Sequence, residues 1–294
     1  MKRKPLVILL CCVLFLFCSC STKFMKYKRI SFESEALCEQ INAISENTVV
    51  VNSAEETFST EMPIYKISKR LISSKECERM MEELGILANP YDYNLNGNYL
   101  NINLASRTDF DRGYFDMTDE EAEELAWELF NKIPFIEGEY ECVGIRETYR
   151  VRNSEGSFIA RAGIVFCRLL DGVRVTGDET CTIYLDGSGL VEIRIRLFEY
   201  KKNGTMELVS LADAEEKLKT PDDFDVMGQT ENINIDTLQV DHAYLRLVNQ
   251  YSRGCTILQP IYYFKGTATL EDNTKTEFSS KVIAIPESMT YEEE

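Results

Sequence analysis

Apolar and polar positions recur along this chain in two rhythms, and each change of rhythm marks an element. "PIYKISKRLI", from Pro63, alternates as a strand does. Cys77, Met80, Met81 and Leu84 then recur at helical spacing, Ser73 and Glu76 form a capping box ahead of them, and Gly85 stops the helix. "YDYNLNGNY" reads as a turn and "YLNINLA" as a short strand. Thr118 and Glu121 open a second helix. It turns Ala122, Leu125, Ala126, Leu129, Phe130 and Ile133 inward and Asp119, Glu120, Glu123, Glu124 and Glu128 to water, until Pro134 closes it.

Four strands follow. In residues 142–152, Val143, Ile145, Tyr149 and Val151 share one face and Arg146, Thr148, Arg150 and Arg152 the other, with Glu147 breaking the pattern. "FIARAGIVFCRLL" leads to the hairpin signal Asp171-Gly172, and "VRVTGDETCTIYL" leads to "DGSG". The last strand sets Val191, Ile193, Ile195 and Leu197 against Glu192, Arg194 and Arg196, as an antiparallel meander with one buried face would. Ser210 and Asp213 cap a short helix, residues 220–232 read as a polar loop, and three strands are expected near 238–249, 259–271 and 276–285.

A helix followed by antiparallel strands thus occurs twice. The fold class expected is α+β, in two units that each pack a helix on one face of a curved sheet. The boundaries are 62–205 and 206–287. Residues 288–294 form a frayed tail and 20–61 a tether with a short helix in "SFESEALCEQINAIS" and a strand at "TVVV".

The stretches "DGVRVTGDETCTIYLDGSGLVEIRIRLFEY", "LVSLADAEEKLK" and "LQPIYYFKGTA" resemble the exported PepSY and Yyc-type regulatory modules of Gram-positive bacteria, and "MPIYKISKRLISSKECERMMEELG" resembles the opening of such a module. The resemblance covers residues 62–285. It implies a non-enzymatic binding or inhibitory role at the cell envelope, in some members the control of a sensor kinase or a protease.

The amino terminus has a third rhythm. Lys2, Arg3 and Lys4 precede an apolar run from Pro5 to Phe17, too short for a membrane-spanning helix and of the length of a signal-peptide core. Phe17-Cys18-Ser19-Cys20 resembles a bacterial lipobox, with small Ser19 before the acceptor and Phe17 in place of the usual leucine. The resemblance makes residues 1–19 a signal peptide and Cys20 the lipidated first residue of the mature chain. An uncleaved anchor and a Cys-x-Cys metal pair are the competing readings. The partner so implied is the membrane, through the lipid, and the place is its extracytoplasmic face.

Charge narrows the function. A net charge of −17 argues against nucleic acid, which needs a basic footprint, and 44% hydrophobic residues suffice for a core. Cys38, Cys77, Cys142, Cys167, Cys181 and Cys255 are scattered without a Cys-x-x-Cys pair. They permit disulfides in an exported protein, with buried free thiols the favoured reading.

The single His, His242, lies on an expected strand, and no Ser-x-x-Lys, phosphate loop or His-Glu-x-x-His motif occurs. Asp92, Asn94, Asn96 and Gly97 match the start of a calcium loop, but Asn103 stands where its bidentate Glu belongs. No metal or other cofactor is expected. Arg146, Arg150, Arg152, Arg194 and Arg196 are the candidate site, a docking patch for an envelope protein or acidic peptide unless neighbouring acids neutralise it. The expected function is a non-catalytic binding or regulatory lipoprotein, the alternative an envelope hydrolase using an Asp/Glu pair. Replacing Cys20 by Ala should abolish metabolic palmitate labelling and release the protein from the membrane fraction, whereas Cys18→Ala should keep both.

Overall fold

The computed structural model describes residues 27–28, 44–52, 57–86, 92–105, 113–153, 156–219, 223–226, 235–249, 251, 254, 256–286 and 290–291. The expected signal peptide with Cys20, the helix expected in 32–43, Cys38, Cys255 and much of the loop 220–232 lie outside them. The chain divides into two compact units. One contains a short parallel pair, strand β1 (Tyr27–Lys28) with the final strand Thr290–Tyr291. The other, Phe32–Ile285, holds the remaining elements.

The larger unit opens with β2 (Ile44–Asn52), β3 (Glu61–Lys69) and helix α1 (Ser74–Glu83). The hairpin β4 (Asp92–Asn96) and β5 (Tyr99–Asn103) precedes helix α2 (Asp119–Phe130). The meander is β6 (Glu139–Asn153), β7 (Gly156–Leu170), β8 (Val173–Gly177), β9 (Thr180–Asp186) and β10 (Gly189–Arg196). After β11 (Phe198–Glu207) come helix α3 (Leu211–Glu216), β12 (Asp223–Val226), β13 (Ile235–Asn249), β14 (Gln259–Leu270) and β15 (Lys275–Ile283).

Helix starts follow the caps. Ser73 and Thr118 each accept from the N3 amide while Glu76 and Glu121 reach back to the cap amides, so two otherwise unpaired donors are satisfied at each start. Both helices cover one face of β5, β7, β9 and β10. Their Cys77, Met80, Ala126, Leu129 and Phe130 share a core with Ile102, Phe166, Ile183 and Ile195. Phe166 stacks on Phe130 with ring centroids 4.3 Å apart and meets Trp127 edge-on at 5.0 Å.

The expected α+β class in two units is overturned. The protein is mostly β, and among the described residues twelve strands join one mixed sheet. Hydrophobic alternation shows that a strand exists but not which edge it pairs with. β13 uses one edge for β14 throughout. On its other edge Thr237–Val240 pair in parallel with β2, and Arg246–Asn249 pair in parallel with β8. The ladder with β8 joins two sheets expected to be separate, and the ladder with β2 adds a strand expected in the tether. Strands also appear where turns or no element had been read: β4 in "DYNLN", β11, β12 inside the loop 220–232, β1, and Thr290–Tyr291 in the expected frayed tail. β11 pairs with β3 as a separate two-stranded sheet.

Removing the aromatic centre should be costly. Phe166→Ala should lower unfolding stability by about 3–5 kcal/mol in urea titration, because Phe166 is fully buried between α2 and the sheet.

Candidate functional site

β-bulges decide where the five candidate arginines go. β6 shifts register against β7 around Ile145 and again between Tyr149 and Arg150. Tyr149, Arg150 and Arg152 then lie opposite Arg161, Ile159 and Ser157, all on the face away from the helices. Arg194 lies opposite Thr182, which lies opposite Val165. At about 3.3 Å per residue, Arg150 is about 20 Å further along the sheet than the Arg194 row. The candidate patch is therefore two groups on one face.

The inner group is neutralised. Glu192, with 1% exposure, accepts from Arg161 at 2.5 Å and from Arg194 at 2.5 Å. Arg194 also donates to the Tyr184 hydroxyl at 2.7 Å, and Tyr184 donates to Glu147 at 2.5 Å. The Arg161 guanidinium lies 4.0 Å from the Tyr149 ring centre and that of Arg194 4.6 Å from Tyr184. Burial disfavours the charge on Arg194, but hydrogen bonds with Tyr149 and Glu192 outweigh it and raise its pKa. Gly163 lies under Tyr184, whose ring would sit 2.7 Å from a Cβ there. Arg196 approaches Asp178 at 4.0 Å.

The outer group differs. Arg150 and Arg152 are exposed and stand where β7 pairs with β6 alone, whereas exposed Arg146 lies between Ile145 and Glu147, opposite Ile164 and Gly163 and so close to the Arg194 row. Neither Arg150 nor Arg152 makes an ion pair with a described residue, in contrast to Arg161, Arg174 and Arg194. Tyr149 is exposed nearby, whereas exposed Tyr114 stacks at 4.7 Å on Phe158, which pairs with Val151 on the opposite phase of the hairpin.

Two depressions lie apart from the outer group. One of about 410 Å³ is lined by Asp241, His242, Lys265 and Ser279 among others. His242 and Ser279 both register with Lys265, one strand to either side, so they stand about 10 Å apart, too far for a nucleophile–base hydrogen bond. Asp92, Asn94 and Asn96 alternate along β4, with Gly97 and Asn98 forming the turn, so they are strung out instead of encircling an ion.

The other, about 240 Å³, lies among Arg70, Phe135, Tyr140, Arg168, Phe198 and Tyr200. Behind it is Glu179, 4% exposed, which accepts from the Tyr140 hydroxyl at 3.0 Å and from Tyr200. Asn249 donates to the Tyr200 oxygen at 3.0 Å. Burial pushes Glu179 up to about 7 against the opposing pull of the two phenols and Arg168. The sequence carried a signal for this place. Arg168 falls in the phase of core residues Ile164, Phe166 and Leu170, where a cation is out of pattern. The four described cysteines, Cys77, Cys142, Cys167 and Cys181, are free thiols, and burial raises the pKa of each.

By fold the chain is a mostly β protein on a mixed sheet, with an arginine–tyrosine–glutamate cluster on the face away from the helices. No family model matches it, and no curated protein matches it.

Glu179 predicts a pH dependence. Its folded pKa of about 7 exceeds the ordinary 4.5, so the folded state holds a proton that the unfolded chain has lost. Its contribution is full below pH 4.5 and disappears as pH rises through about 7. Glu76, held near 2 chiefly by Arg70, changes state below that window. In urea titrations from about pH 5 to about pH 8, the midpoint of Glu179→Gln should rise relative to wild type as pH increases.

Proposed function

We propose that this chain is a membrane-anchored extracytoplasmic lipoprotein that binds an acidic segment of an envelope protein without catalysis. Cys20 carries the lipid, and the outer end of the β6–β7 hairpin is the docking surface. The observation that carries the reading is the pair Arg150 and Arg152. In a chain of net charge −17 they are exposed and lack ion-pair partners among the described residues, while the inner arginines of the same face are neutralised. Arg suits carboxylates because its planar fork offers paired donors. Tyr149 adds flat surface beside it. The resemblance of residues 62–285 to envelope regulatory modules supports the same role.

A synthetic peptide rich in Asp and Glu should bind the full chain with an affinity that falls as salt is raised. Arg150→Glu/Arg152→Glu should weaken binding about tenfold, since charge reversal replaces two attractions by two repulsions. Lys66→Glu/Lys201→Glu, an exposed cation pair on the β3–β11 sheet, should leave it unchanged. Equal loss in both variants would reduce the effect to net charge and reject the docking surface.

A further inference from the structure

We infer that the cavity beside Arg168 is a second, separate binding site, for a small monocarboxylate with an aromatic or apolar body. Arg168 extends the row of Ile164 and Phe166 on β7, just beyond the cover of α2. Among the described residues its Nε is buried without a hydrogen-bond partner and its guanidinium forms no ion pair. A buried charged donor left unmade is expensive, and folded proteins rarely leave one without a use.

The surroundings give that donor a ligand-sized space. Gly138, at φ +92°, lies so close that a Cβ there would overlap the Arg168 guanidinium. The absent side chain therefore makes room for the cation. The Arg168 guanidinium also stands 5.2 Å from the Tyr140 ring centre, which fixes it at the cavity wall. The cavity of about 240 Å³ is below the usual range for drug-sized ligands and suits one ring with a short acid arm.

Its chemistry is selective. Tyr140 and Tyr200 direct their hydroxyls to Glu179, which leaves Arg168 as the polar anchor. Arg70 is engaged by Glu76 at 2.7 Å and stands 5.6 Å from the Phe135 ring centre. Phe135, Leu197 and Phe198 supply apolar wall. A carboxylate matches the guanidinium fork. Exposed Glu137 and Glu199 on the same cavity repel a second negative charge, so a phosphate dianion is disfavoured.

The test is calorimetric titration of the full chain in zwitterionic detergent with phenylacetate, phenylacetamide and phenyl phosphate. Phenylacetate should bind saturably, and the other two at least about tenfold more weakly. Arg168→Gln should lose about tenfold for phenylacetate and Arg168→Lys should recover part of it, since an ammonium keeps the charge without the fork. Amide or phosphate binding as tight as the acid, in wild type, would overturn the assignment without reference to how a variant folds. Unchanged phenylacetate affinity in a folded Arg168→Gln would do the same. The acidic-peptide site at Arg150 and Arg152 should respond to none of these ligands, so either site can fail alone.

Discussion

The structure of the larger unit depends on a four-residue parallel ladder in which Arg246–Asn249 of β13 pair with Arg174–Gly177 of β8. The chain can approach this closely because Gly177, at φ +107°, has no Cβ to collide with the Asn249 carbonyl, and Asp178 then donates to that carbonyl at 2.9 Å. Without the ladder the meander and the C-terminal strands would be separate sheets with open edges. With it, Asn249 reaches Tyr200, and Tyr200 reaches Glu179. One backbone pairing therefore both joins the sheet and assembles the polar cluster behind the Arg168 cavity.

Two buried carboxylates show how differently the fold handles the same group. Glu192 faces two guanidiniums, so its charge is matched within hydrogen-bonding distance. Glu179 faces two phenols and a guanidinium outside ion-pair range, and burial dominates. The first arrangement consumes Arg194, which the sequence offered as part of a docking patch. The second leaves Arg168 uncommitted. Both follow from which side chains the strand registers bring opposite one another.

Much of the local structure was legible from the residues. The capping boxes at Ser73 and Thr118, the Asp171-Gly172 turn and the buried phase of β10 follow from interactions between residues close in sequence. The candidate site was legible only in part. Arg194 and Arg196 could be assigned to the polar phase of β10, but Glu192 two residues away gave no sign that it would be buried against Arg194 and Arg161. β6 was harder, because each bulge moves the residues beyond it to a new phase and a bulge leaves little trace in composition. Arg168 was visible as a cation among core positions, a signal easily lost beside the more obvious arginine rows.

By itself the sequence determined where the capped helices and the main strands of the meander start, which face of β10 is apolar, and that the chain carries a net charge of −17. These are properties of neighbours along the chain and of summed charge. Only the tertiary structure decided that twelve of the described strands form one mixed sheet, that Arg161 and Arg194 neutralise Glu192 while Arg150 and Arg152 make no ion pair with a described residue, and that Arg168 faces a cavity. The physical reason is that strand edges carry the same backbone donors and acceptors whatever their side chains. Edge pairing and register are therefore settled by packing between residues far apart in sequence.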